Sequence, residues 1–404
     1  MAEETLPNPN TPRSNFRGLR GLAWACYLGS SWTWIIGMVW PAIIVRDYGV
    51  WGWVAFAAPN VIGAAAMGIV LRKPGASRAM VERHRSACQW FSIITICYHA
   101  FVVFWLFDRA FDVVGWVAPV LLTVVFILAG RWILPIAVLI TIVSWVCFAT
   151  VGNLPEAWPD MQRTPPSDTI DLVIFAAIAP IGFLLCPYLD LTFHRAAQQS
   201  ESTSGGAPMT FLIGFGVVFF SMIIFSLAYA EILAPMMAAE TTWNDSVISN
   251  SSRWRLALGV HMIIQASFTV AIHLRQLRQA RKERSESMNR VMNGLCVAAV
   301  LALIVISVPR GLKGIELDEA IYRAFLIFYG VVFPAYMLMH VVPTRGSVNQ
   351  GIRDCGLILA ILVAFPLAWV GFVEKQNWFM VGAGSAILCV RIALDMMAYK
   401  RGNS

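Results

Sequence analysis

The sequence predicts an all-α integral membrane protein of about twelve transmembrane helices, and three observations carry that prediction. Of its 404 residues, 58% are hydrophobic and 13% charged, against roughly 25% charged in soluble domains. The apolar residues come in long blocks parted by short polar loops, and a helix needs about 20 of them to cross a bilayer. The basic charge of the loops alternates along the chain.

Taken in order, the spans are 21–45, 50–71, 88–107, 113–130, 132–152, 170–193, 209–233, 254–274, 289–308, 319–342, 355–373 and 377–398. Only the corner Gly130-Arg131 separates the fourth from the fifth. Residues 1–20, MAEETLPNPNTPRSNFRGLR, are polar and proline-bearing and predict a disordered cytoplasmic tail. They do not resemble a signal peptide, because the next apolar run is too long and lacks a small-residue cleavage site.

Orientation follows from the positive-inside rule. With the N-terminus inside, the inner loops hold 20 Lys and Arg and the outer loops 9, with Arg391 inside the last span. Both termini, including the tail 399–404, are then cytoplasmic, in a plasma membrane of bacterial inner-membrane type. The net charge of +7 reads as topology and contact with anionic lipid, not as nucleic-acid binding. Eight cysteines lie at or within spans, with no CxxC or Cys/His cluster. They read as packing residues and not as a disulfide framework or a metal site. No P-loop is present, no other cofactor motif appears, and nothing fixes the oligomeric state.

Two spans are spoiled for a plain membrane helix. The first contains GSSWTWIIGMVWP, Gly29 to Pro41, and the sixth contains APIGFLLCP, Ala179 to Pro187. Both present Ile-Gly, then bulky apolar residues, then proline. Lying five spans apart, they cross in opposite directions. Glycine and proline weaken or remove backbone hydrogen bonds, and groups freed at membrane depth must face protein or a wet cavity. Paired interrupted helices at matching places in two halves point to a transporter binding site.

This pattern resembles the LeuT-type fold, shared by amino acid–polyamine–organocation transporters and sodium:solute symporters. IIGMVWP is similar to the interrupted first helix of the former group and APIGF to its sixth; DYGVWGWVAFAAPNVIGAAAMG, Asp47 to Gly68, resembles the second-helix region of the latter. The resemblance implies a five-helix repeat over 21–152, an inverted repeat over 170–343 and two extra helices over 354–398. It also implies a solute held between the unwound parts of helices one and six, flanked by helices three and eight. Carried to this chain, that places Ser30, Ser31, Thr33, Trp34 and Gly37 with Pro180, Gly182 and Phe183, and sets Tyr98 and His99 on the cavity wall. Sodium-coupled members carry an adjacent hydroxyl pair on helix eight. Here Ser267 and Thr269 stand two apart, roughly 200° around a helix, which departs from that pattern.

Other polar groups have readings of their own. His261, Gln265, Thr269 and His273 recur every fourth residue and share one face. Four polar side chains on lipid are costly, so the face looks inward, and its histidines are candidates for proton coupling. Asp190 and His194, an i, i+4 pair, are candidates for an inner gate. Glu231 and the pair Arg391 and Asp395 read as interfacial anchors. Asn244 and Asn250 begin glycosylation sequons.

The function expected is secondary transport of a small polar solute by alternating access, symporter-like, with Na+ or H+ as coupling ion. A neutral or zwitterionic solute is favoured because neither spoiled segment, as placed here, holds a fixed charge. Two alternatives stand beside it. One is a membrane enzyme of lipid-linked glycosyl or acyl transfer, for which Asp47 and His84 are the weak signals. The other is a transport-inactive sensor or scaffold on the same frame. The short outer loops, without paired carboxylates, speak against an enzyme.

Overall fold

The computed structural model describes residues 13–153, 158–159, 167–237, 252–282 and 317–402. The ninth expected span, 289–308, and the sequons at Asn244 and Asn250 lie outside them. Every regular element among the described residues is helical. The helices are α1 (Arg13–Trp32), α2 (Ile35–Val70), α3 (Ala76–Arg83), α4 (Arg85–Val102), α5 (Asp108–Leu128), α6 (Ile133–Gly152), α7 (Thr169–Leu185) and α8 (Leu191–Ser200). They continue with α9 (Gly206–Ile213), α10 (Phe220–Ala228), α11 (Ala230–Met237), α12 (Ser252–Lys282), α13 (Leu317–Ile327), α14 (Phe333–Tyr336), α15 (Gln350–Ala368) and α16 (Trp378–Gly402). Single π-helical turns join α9 to α10 and α13 to α14 without ending the span.

Nine helices among the described residues are long and apolar enough to cross a membrane, and Val114–Leu128 is a shorter apolar helix. The distribution of polarity is that of a membrane protein. Val120, Leu121, Val124, Val125 and Leu128 form an exposed apolar face on α5, whereas Ser30, Asn60, His99, Asp190, His261 and Gln265 are buried. In water such an apolar surface would be an aggregation liability; in lipid it is the favourable one.

The tail expected over 1–20 is helical from Arg13 onward. Span one is interrupted between α1 and α2, where Trp34 is extended (φ −99°, ψ −176°). Ser31 Oγ donates to the Leu28 carbonyl and Thr33 Oγ1 to the Gly29 carbonyl, both at 2.8 Å. Hydroxyls bonded back onto the preceding turn compete with the helical ladder and weaken it there. Spans one and two then meet inside α2 at a single residue, Gly49, with φ 69°, a left-handed corner that an L side chain adopts only with strain.

Span six is interrupted later than its glycine suggests. The helix runs through Pro180 and Gly182 to Leu185, tightens into one 3₁₀ turn over Cys186–Leu189, and restarts at α8 after an extended Asp190. Pro187 supplies no N–H and crowds the carbonyl one turn back, which stops α7. Helix α1 packs on α8, and α2 on α7. Helix α7 meets α2 at Tyr48, Phe56 and Gly63, beyond the first break, and the two breaks meet at one crossing, where the Trp32 ring lies 4.9 Å from that of Phe193 at the start of α8.

Candidate functional site

Backbone groups around the break in span one meet side chains from other helices. The Ile35 N–H donates to His99 Nε2 at 3.4 Å, and His99 Nδ1 lies 2.7 Å from the Thr95 carbonyl. A carbonyl only accepts and an N–H only donates, so both contacts are met by a neutral imidazole with its proton on Nδ1. Tyr322 Oη donates to the Ile35 carbonyl (3.4 Å), Tyr229 Oη to that of Met38 (2.7 Å) and Thr269 Oγ1 to that of Ser30 (3.4 Å). Ser30 Oγ pairs with Thr141 Oγ1 at 3.4 Å, and Trp32 Nε1 donates to Asn60 Oδ1 at 2.5 Å.

Trp34 forms the aromatic wall of the crossing. Its ring lies 4.9 Å from those of Trp32 and Tyr329, 5.9 Å from His99 and 6.1 Å from Phe91. Tyr98 stacks instead toward α13, 5.1 Å from Tyr322 and 6.2 Å from Tyr329.

Tyr329 ties the two interruptions together and was not among the residues singled out by the sequence. Its ring faces Trp34, its hydroxyl pairs with Thr95 Oγ1 at 3.1 Å, and its carbonyl accepts from Cys186 Sγ at 3.0 Å. A Cβ on Gly182 would stand 2.7 Å from that carbonyl. The available signal was the Tyr-Gly pair at 329–330, where the helix takes a π turn, a local irregularity frequent at functional sites.

The candidate residues thus divide. Trp34, His99, Thr269 and Ser30 meet at the first interruption, whereas the hydroxyls of Ser31 and Thr33 are engaged by their own helix. Gly37 sits within helical α2, where its Cβ position is 3.2 Å from the Trp32 carbonyl. Pro180, Gly182 and Phe183 lie in continuous helix, not in an unwound stretch, because Gly182 serves close approach to Tyr329. Gly182 and Phe183 line an apolar pocket with Trp40, Leu326 and Phe372. Ser267 bonds back to the Ile263 carbonyl at 2.6 Å and does not join Thr269 in a hydroxyl pair.

The stripe on α12 faces inward along its length. His261 Nδ1 and Gln265 Nε2 each lie 3.0 Å from Ser144 Oγ. Further along, His273 Nδ1 lies 3.0 Å from Ser92 Oγ, and its Nε2 is 3.9 Å from Asp190 Oδ2. Asp190 caps α8, its Oδ1 accepting from both the Thr192 N–H and Oγ1 at 2.7 Å. The second interruption therefore does hold a carboxyl group, which corrects the expectation of two segments without fixed charge. His194 contacts Ser77 Oγ (2.9 Å) and the Tyr188 carbonyl (2.9 Å), not Asp190, because an N-cap side chain turns back onto its own first turn.

Above the crossing, five charged residues form one network. Arg46 grips Glu319 with two bonds of 2.7 and 3.0 Å and reaches Asp47 at 3.0 Å. Arg323 bonds Glu319 at 2.8 Å and also pairs with Asp47, while Lys375 lies 3.7 Å from Asp47. The Arg323 guanidinium stands 5.5 Å from the ring centroids of both Trp40 and Phe372. Asp47 is thus an ion-paired carboxylate. His84 is likewise engaged, its Nδ1 3.0 Å from Tyr336 Oη. Arg391 pairs with Asp395 at 3.0 Å and donates to the Val342 carbonyl at the end of span ten at 2.9 Å.

No family model matches the chain, and no curated protein matches it. Among solved structures, the chain is similar to the Eremococcus coleocola manganese transporter crystallised with an aromatic bis-isothiourea substituted compound. The identity is 13%, covering 98% of this chain and 96% of that one, with a TM-score of 0.47.

Proposed function

We propose that this protein is a secondary transporter that carries a small polar solute by alternating access around the two interruptions. One observation supports this above the others. The two interrupted spans bring their breaks close together, and backbone groups around the first break face polar side chains from surrounding helices. Such an arrangement costs helical hydrogen bonds and is tolerated where backbone dipoles replace a solute's hydration shell. A LeuT-like layout of two inverted five-helix repeats plus two helices accounts for the pairing of α1 with α8 and α2 with α7. In this conformation the Arg46–Glu319–Arg323–Asp47 network closes the outer end of the crossing. Opening to that side means parting Arg46 from Glu319.

A transport-inactive sensor on the same frame is favoured by a different observation: Trp32, Trp34, Phe91 and Tyr329 already fill space at the crossing. Proteoliposome uptake separates the two. A panel of amino acids, sugars and nucleobases is offered under imposed sodium or proton gradients. Gradient-dependent accumulation of one class, abolished by Gly182→Leu with membrane insertion intact, is the expected result; no accumulation of any solute under any gradient overturns transport.

A further inference from the structure

The interruption of span six leaves one acidic oxygen unsatisfied in the protein interior. Asp190 is 0% exposed; its Oδ1 holds two donors, while Oδ2 has no hydrogen-bond partner among the described residues. What faces Oδ2 is an imidazole, His273 Nε2 at 3.9 Å, itself 1% exposed. His273 Nδ1 is already oriented by Ser92 Oγ at 3.0 Å. When Nδ1 carries the ring proton and donates it to Ser92, Nε2 presents a lone pair to an oxygen that also presents lone pairs. Two acceptors then confront each other between two buried side chains, an arrangement that one added proton relieves.

We infer that Asp190 and His273 form a proton-binding site, taking one proton from water and holding it between Asp190 Oδ2 and His273 Nε2. On binding, an O–H bond forms at Oδ2 as a hydronium O–H bond breaks; on release the reverse occurs. No electron changes hands. The imidazole facing Oδ2 fits this ligand. The ion pair Asp190 makes among the described residues is with His273, and the other titratable groups near the pair are Tyr27 from α1, Cys88 and His99 from α4, and Tyr329. Arg195 and Arg275 act on Tyr27. No described cluster of three or more His, Cys, Asp or Glu side chains could hold a metal ion. The place of the pair also gives the proton something to do: Asp190 caps α8, so its charge acts on the inner half of interrupted span six. Protonation removes that charge and weakens the cap. The use of this site in coupling rests on the transport proposal; the site itself does not.

The test uses the full-length protein in lipid nanodiscs, with the proton itself as probe and no solute present. Infrared difference spectra are recorded across pH. The expected result is a carboxylic-acid carbonyl band that appears with one proton, is missing in Asp190→Asn, and titrates about tenfold away in proton concentration in His273→Gln. If Asp190→Asn fails to fold, His273→Gln alone decides. A wild-type spectrum without such a band overturns the site. So does a midpoint unmoved by His273→Gln, or a band displaced by sodium at constant pH. A pH titration of this kind in a protein that accumulates no solute keeps the proton site and removes the transport proposal; proton-driven uptake that survives in Asp190→Asn removes the coupling role.

Discussion

Replacing Glu319 by glutamine tests whether the outer charged network holds the crossing shut. Glu319 accepts three bonds, two from Arg46 and one from Arg323. Glutamine keeps one oxygen and turns an NH₂ toward Arg46, so one bond is lost and the other two keep a charged donor but lose the charge on the acceptor. A hydrogen bond to a charged group is worth about 1.5–3 kcal/mol and a neutral one about 0.5–1.5. The buried Arg323, 1% exposed, also keeps only Asp47 as counter-charge. The lost bond and the weakened pairing of both arginines put the cost near the lower end of the roughly 3–5 kcal/mol measured when one partner of a buried pair is removed. Arg46 is partly exposed, and water screens its share, which favours the lower figure. At about 1.4 kcal/mol per tenfold, the ratio of closed to open outer ends shifts by roughly a hundredfold or more. Hydrogen-exchange mass spectrometry reads such local opening directly. Peptides covering Trp34–Arg46 and Leu317–Ile327 should exchange about a hundredfold faster in Glu319→Gln, while the α8 peptide stays protected. Unchanged exchange in the outer peptides of a folded variant would refute the reasoning.

Gly182→Leu drives a side chain into the Tyr329 carbonyl, 2.7 Å from the Cβ position. Overpacking of this kind costs about 1–3 kcal/mol, read as a lower Tm together with lost uptake; full uptake at an unchanged Tm would dismiss the crossing as the site. His99→Leu strands the Ile35 N–H beside an apolar group, at about 1–3 kcal/mol for a buried unmet donor. His99→Gln, which restores an acceptor, should recover part of that loss in denaturant unfolding, and equal losses in the two variants would count against the cap. His84, between α3 and α4, is pushed down to about 4 by burial, with Arg83 and His340 adding to the shift. Its folded value lies below the unfolded one near 6.5, so its contribution is present above about pH 6.5 and is lost as pH falls toward 4. His84→Gln should flatten the acid limb of a Tm-against-pH curve in that window. A limb of the same slope would show that His84 is not a source of it.

Periodicity made the membrane helices legible, because lipid forces every span to hide its own backbone bonds. The polar stripe of α12 was legible for the same reason: four side chains at helical spacing have one face to share. The first interruption could be read from Ser31, Thr33 and Gly37 together. The second was misplaced, since Pro180 and Gly182 look like breakers in one dimension, and only the neighbouring Tyr329 carbonyl shows that the glycine is there for clearance. Pro187, which does stop the helix, is no more conspicuous in the sequence. The charged network was illegible because Asp47 and Arg323 stand 276 positions apart, and no local pattern records which loop ends converge.

The corner at Gly49 has a mechanical implication. One left-handed residue joins the outer half of span one to the whole of span two, leaving no slack between them, so they swing as one bent lever. Helix α1, by contrast, hangs from a single extended Trp34. The two arms are unequal: in the proposed cycle, moving α1 shifts one rod of 20 residues, whereas moving α2 carries 36 residues together.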